Sequence, residues 1–209
     1  MNKFDLFSII GITLIATLAY SAEVKFTAEK IIPFIGGSDY NRDNLQKSGL
    51  VKVDQIGAYY FFGEGKGLYL GLINSSEKAE YTQFESNARP YGHFSSSFSS
   101  LGTDFGLWVQ PSDILRIEGG LGISQGTFEI SDSSSTISKQ PNTKKLDVHF
   151  SFIYPTNFLS PDVNIDLFVK LGYYKVFISD FNYNGVSYSA PEINLKTYLY
   201  LSFGVGVRF

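Results

Sequence analysis

Cysteine is absent from the 209 residues, and methionine and tryptophan occur once each. Without cysteine there is no disulfide framework, no thiolate metal site and no thiol nucleophile. A basic excess is missing too. Seventeen lysines and arginines stand against 20 acids, a formal net charge of -3, so the chain has no electrostatic footprint for nucleic acid. Histidine is down to His93 and His149, and neither has a histidine or cysteine partner at metal-ligand spacing. No metal or cofactor is expected. Beyond the first twenty residues no long uninterrupted apolar run exists, which excludes a helical membrane domain.

What is abundant is glycine (20), tyrosine (14) and phenylalanine (19). Mean hydropathy is near zero, as in a soluble protein, but a wall whose lipid-facing and lumen-facing residues alternate averages to the same value. The amino end differs in kind. Lys3 precedes an apolar run from Leu6 to Leu18, too short to span a bilayer and suited to a signal-peptide core. Ala19-Tyr20-Ser21 puts small residues at the -3 and -1 positions, so cleavage is expected after Ser21, leaving residues 22–209 as one domain.

The second half carries a period of two. Side chains of a strand alternate between faces, so a wall facing lipid shows apolar residues at every second position. Leu195, Thr197, Leu199, Leu201, Phe203, Val205, Val207 and Phe209 form one such stripe, against Lys196, Tyr198, Tyr200, Ser202, Gly204, Gly206 and Arg208. The stripes Val163 to Tyr173, Leu146 to Tyr154, Leu115 to Ile123 and Leu101 to Val109 repeat it, and none contains a charge. A lysine or arginine facing mid-bilayer lipid costs about 2–4 kcal/mol, which accounts for the exclusion. Strands in lipid must also close, because only closed barrels and helices satisfy every backbone group there.

Between the stripes, long polar connections (residues 37–49, 74–96, 131–145 and 180–192) interleave with short ones (63–67, 110–113 and 155–162). Four long and three short connections make eight strands, with short periplasmic turns, long external loops and both termini periplasmic. The predicted fold is therefore all-β: a transmembrane antiparallel up-and-down β-barrel of about eight strands. At the amino end, Lys30 and Pro33 blur the first strand. Val51, Val53, Ile56, Ala58, Tyr60 and Phe62 require a phase shift or bulge near Asp54. Tyr59-Tyr60-Phe61-Phe62 reads as an interfacial aromatic belt.

The carboxy end, Phe209 preceded by alternating Val207, Val205 and Phe203, resembles the signature that barrel-assembly machinery recognises in outer-membrane proteins. With the signal peptide, strand count and loop order, the chain resembles the small porin-like outer-membrane barrels of the OmpX, OmpA-transmembrane and opacity-protein type. The resemblance implies an outer-membrane location, the assembly machinery, outer-membrane lipid and lipopolysaccharide as partners, and a structural or surface-interaction role (membrane integrity, adhesion or host contact) with an unidentified surface ligand.

By register, Asp104, Glu118, Asp147 and Asp166 face the lumen with Arg116, Lys170, Lys196 and Arg208. An eight-stranded barrel is just wide enough for side chains to fill, so these charges are expected to pair as a plug. Lys196 and Asp147 are expected nearest the outer rim. A narrow channel for hydrophobic or ionic solutes is the alternative, with Phe168, Tyr174, Tyr198 and Tyr200 lining an upper cavity. His149-Phe150-Ser151 resembles the His-x-Ser pair of PagL-type lipid A deacylases in those positions alone; Phe152 and Ile153 replace the Asn-Ala that follows it there. The pair also points inward, so no catalytic residue is expected.

Overall fold

The structure, a computed structural model, describes residues 23–36, 45–47, 51–84, 90–132, 136–160, 163–179, 181–183, 186–188 and 197–209. The expected signal peptide lies outside them. Eight long strands follow one another: β1 (Glu23–Gly36), β2 (Lys52–Phe62), β3 (Lys66–Phe84), β4 (Pro90–Ser112), β5 (Leu115–Asp132), β6 (Thr136–Ser160), β7 (Val163–Phe177) and β8 (Thr197–Arg208). Each pairs antiparallel with the next, and β8 returns to β1. The sheet is thus closed and has up-and-down topology, with no helix among the described residues. Two short additions sit beyond the main strands: Leu45–Lys47 beside β3, and a hairpin of Phe181–Tyr183 with Val186–Tyr188.

The start of β1 and the end of β8 meet at one rim, called the chain-end rim below, where the backbones of Val24 and Phe209 exchange two hydrogen bonds (3.2 and 2.9 Å). The tight turns lie at the same rim. At the first, Gly63 and Gly65 take φ of 100° and 66°, a left-handed backbone that costs a side-chain-bearing residue energy.

The wall has two zones of opposite polarity. Toward the chain-end rim the outer surface is apolar: Leu68, Leu70 and Leu72 on β3, Leu101, Phe105 and Leu107 on β4, Phe150 and Phe152 on β6, and Phe203 and Val205 on β8 are exposed. Inside that zone charged and polar residues are packed with the rings of Tyr59, Phe61, Tyr69, Trp108 and Phe168. Farther along, the outer residues become Asn74, Ser76 and Lys78 on β3, Ser99 and Ser95 on β4, Gln125 on β5, Lys144 on β6 and Lys175 on β7. The inside turns apolar there, with Val51, Val53, Ala79, Phe98, Phe128, Ile130 and Val176 packed together. An apolar exterior over a polar interior is the arrangement of a barrel immersed in hydrocarbon; the reverse is that of a protein surface in water.

Four expectations are corrected. Residues 74–96 and 131–145 are mostly strand, not loop: β3, β4, β5 and β6 run 19, 23, 18 and 25 residues, about twice the 9–11 that cross a bilayer. β2 carries no bulge at Asp54, because its pairing with β1 and β3 is unbroken. Val51 and Val53 point inward, into the apolar interior of the upper zone, and Ile56, Ala58, Tyr60 and Phe62 point outward in the lower one. Of the four aromatics before Gly63, only Tyr60 and Phe62 face outward (ring centroids 4.7 Å apart). Tyr59 and Phe61 are buried with Tyr69 and Trp108.

Candidate functional site

Alternation on eight strands aims Asp104, Arg116, Glu118, Asp147, Asp166, Lys170 and Arg208 into one lumen, all of them buried. They do not form a single network there. They divide into layers, each completed by residues of strands whose register was obscure in sequence.

At the chain-end rim, Arg116 Nη1 donates to Glu23 Oε2 at 2.6 Å, and its Nε lies 3.2 Å from Glu118 Oε1. Its guanidinium carbon sits 3.9 Å from the centroid of Phe61 and 4.0 Å from that of Trp108. Stacked contacts of this kind hold a planar cation in place. Arg208 Nη1 donates to the other Glu23 oxygen at 2.9 Å, and its Nε lies 3.4 Å from Asp166 Oδ2. One step inward, Lys25 donates to Glu118 Oε1 at 2.7 Å.

The next layer is a knot around Glu29. Its Oε1 accepts from Lys170 at 2.8 Å and from Gln55 at 2.5 Å, and its Oε2 accepts from Ser202 at 2.5 Å. Beside it, His149 Nε2 lies 3.0 Å from the Tyr69 hydroxyl and 3.4 Å from Asp104 Oδ2. Farther up, the Tyr200 hydroxyl donates to both oxygens of Asp147 at 3.0 Å, and that of Tyr174 donates to Glu77 at 3.1 Å. Lys145 sits 4.4 Å over the Tyr174 ring. Asp147 is therefore well inside the barrel, and Lys196 lies outside the described side chains.

Glycines make the room these rings need. A Cβ on Gly71 would strike Tyr59, on Gly120 the Tyr69 hydroxyl, on Gly172 the Tyr200 ring, and on Gly204 the Phe168 ring. The gap among Lys25, Thr27, Glu118, His149, Ser151 and Lys170 measures about 10 Å³, enough for one water molecule. Tyr174, Tyr198 and Tyr200 do not line an upper cavity: the Tyr174 ring is 5.1 and 5.7 Å from the other two. Phe168 stands apart from them, 5.9 Å from Lys25 Nζ.

His149 and Ser151 are same-face neighbours inside the wall, away from hydrocarbon. His149 Nε2 is engaged by Tyr69, and Ser151 Oγ is buried without a hydrogen bond. The backbone of His93 belongs to β4, but its side chain is not among those described. Phe203, Val205 and Phe209 face outward, with Phe209 edge-on to Phe26 at 6.3 Å.

No family model matches the chain, nor does any curated protein sequence. Among solved structures it is similar to Neisserial surface protein A, at 16% identity and a TM-score of 0.48 over 90% of this chain and 97% of that one. It is also similar to Ail, the attachment invasion locus protein of Yersinia pestis, crystallised with the heparin analogue sucrose octasulfate (12%, 0.42, 90% and 97%). A further similar structure is the outer membrane protease OmpT of Escherichia coli (8%, 0.37, 90% and 95%). At these scores the function has to be argued from this chain's own residues.

Sequence reasoning missed Glu23, Lys25, Glu29, Gln55, Tyr69, Glu77, Lys145 and Tyr200 as members of the network. A signal existed for β1: Lys25, Thr27 and Glu29 are polar at alternate positions between Phe26 and Ala28.

Proposed function

We propose that the chain is an integral outer-membrane barrel whose lumen is a structural plug and whose working part is the strand extension beyond the membrane. The observation that carries this reading is the inversion of polarity along the wall. The apolar exterior ends at Leu72 on β3 and at Leu101 on β4, and the same strands continue as sheet to Phe84 and back from Pro90, with Asn74, Ser76, Lys78, Ser95 and Ser99 turned outward. Residues 1–21 act as a cleaved signal peptide, both termini lie in the periplasm, and the extension faces the cell exterior. The carboxy-terminal Phe209, Val207, Val205 and Phe203 serve as the assembly signal. Membrane integrity, adhesion or host contact through this raised surface fits a rigid scaffold presenting variable elements. The chain is not an enzyme on this reading: His149 and Ser151 are enclosed by the wall, with His149 Nε2 engaged by Tyr69.

The test is to replace residues 76–99 by a tight turn joining Ser75 to Ser100, which already face each other with hydroxyls 2.8 Å apart. The expected product sits in the outer-membrane fraction and still migrates differently on a denaturing gel before and after boiling, but has lost the adhesion or envelope resistance that the intact chain confers. A shortened barrel that keeps full adhesion and full resistance would place the function elsewhere.

A further inference from the structure

One place in the outer apolar belt breaks the rule. Lys30 is exposed on β1 between Ala28 and Ile32, with Phe203 of β8 as its cross-strand neighbour on one side and Asp54 of β2 on the other. Lys30 and Asp54 face outward together as a loose pair, 3.8 Å apart, with both side chains largely exposed. Inside the barrel, by contrast, Lys25, Lys170 and Arg116 hold their acids at 2.7, 2.8 and 2.6 Å. A charged side chain turned toward hydrocarbon is costly, and in membrane-spanning segments such residues pair closely or turn away from lipid. This pair does neither.

Immediately toward the chain-end rim the wall is hollow. Ala28 is exposed there, directly across from Val205 on β8 and Ile56 on β2. A groove of about 550 Å³ runs over it, bounded by Phe203 and Val205 on one side and Ile56 on the other, and its upper end reaches Lys30 and Asp54. Phe203 and Ile56 stand exposed on the two flanks. The patch thus has one charge of each sign at the top, a small residue in the middle and a large apolar side chain on either side.

Such a patch is its own complement. Two copies inserted the same way in one membrane are related by a two-fold axis along the membrane normal, which exchanges left and right and makes every contact twice. With that axis beside Ala28, Lys30 of each copy meets Asp54 of the other, and Phe203 of each meets Ile56 of the other. The small Ala28 lets the two walls approach where they are nearest. We infer that the chain pairs with a second copy of itself through this β8–β1–β2 face, by two reciprocal Lys30–Asp54 ion pairs and an apolar contact of Phe203 with Ile56. Charge selects this occupant. An acyl chain in the groove leaves both charges facing hydrocarbon, and an anionic headgroup drawn to Lys30 also meets the Asp54 carboxylate. A second copy brings both signs, each placed against its opposite. The interface goes beyond the proposed role of the extension and rests only on immersion of the belt in lipid.

The test is disulfide cross-linking in isolated outer membranes, made simple by the lack of cysteine. Ala28→Cys places one thiol beside the axis, and under oxidation by a copper complex it is expected to give a band of twice the chain mass. Val148→Cys, exposed on the far wall, is expected to give none. Adding Lys30→Asp or Asp54→Lys to Ala28→Cys sets like charges across the axis, and each should lower the cross-linked fraction on the order of ten-fold. Co-expressed, with a tag on one of them, these two variants should cross-link again as a mixed pair, since one copy then carries two acids and the other two lysines. That rescue reads contact between copies and not the ion pair within one chain. Undiminished cross-linking of either charge reversal, no recovery in the mixture, or no band beyond that of Val148→Cys would each overturn the interface. Retention of a lipid by the extracted monomer, abolished when Ala28→Trp fills the groove, would assign the groove to lipid and overturn it too. Immersion is read separately: a chain in the soluble fraction without a gel shift on boiling refutes the membrane reading itself, whereas an outer-membrane chain that shifts on boiling but does not cross-link sinks the pairing alone.

Discussion

Glu29 shows how the interior is held at the scale of single residues. Its two oxygens take three hydrogen bonds, from Lys170, Gln55 and Ser202, deep in the barrel. Removing one member of a buried ion pair leaves the other charged and unsolvated, a loss of about 3–5 kcal/mol, while replacing both with apolar residues often costs far less. Glu29→Ala should therefore lower the urea midpoint of unfolding more than Glu29→Leu combined with Lys170→Leu. Trp108, the single tryptophan, is buried in the lumen, so its fluorescence reports the transition. A double variant less stable than the single one would mean that the ion pair contributes net stability of its own. Glu29 was hidden in the sequence because Lys30 and Pro33 disturb the alternation next to it, although Arg116, Asp104 and Lys170 stood out from clean stripes. Those three stripes could be read because no charge interrupts their outer face; β1 could not, because Lys30 does face outward.

The same contrast decides what was legible at the scale of the strand. In the five carboxy-terminal strands the lipid-facing stripe dominates, and the stated faces agree with the observed pairing: Phe203 lies opposite Val169, and Phe152 opposite Val169 in turn. β2 misled because its residues cross the membrane boundary. Val51 and Val53 and then Ile56 and Ala58 are apolar on opposite faces without any slip in pairing, since the apolar side of the wall changes from inside to outside between them. Strand ends were misplaced for a related reason: water-facing serines and charges at 74–100 look like loop, yet they alternate with Ala79, Phe98 and Ser100 on the inner face. β6 does bend, at Gln140-Pro141-Asn142, where the register with β5 shifts. Asn142 takes φ of 63° and accepts from Gln125 at 2.8 Å. A left-handed backbone costs ordinary side chains about 1–2 kcal/mol, and asparagine and glycine tolerate it. Asn142→Gly should leave the thermal midpoint nearly unchanged, and Asn142→Val should lower it. Equal midpoints for the two would show that the bend relaxes when the side chain changes.

At the scale of the whole molecule, the barrel is blocked several times in series. Arg116 with Phe61 and Trp108 fills the chain-end rim, Lys25 and Glu118 lie above it, the Glu29 knot above that, and the tyrosine layer and the apolar cluster of the extension close the far side. Eight strands enclose little more than their own side chains, and the acids and bases are mixed within each layer, without the ring of one sign that selects ions. The purified chain in a planar bilayer should therefore give no steady conductance of porin size. Breaking one layer should not change this: with Lys25→Ala and Glu118→Ala together, Tyr59, Phe61 and Trp108 still close the barrel below and Glu29 with Lys170 above. Layers that block in series predict silence for both proteins. A stable ohmic current from the native chain would refute the plug, and one that emerged only in the Lys25/Glu118 variant would mean that this single pair, and not the stack, is the seal.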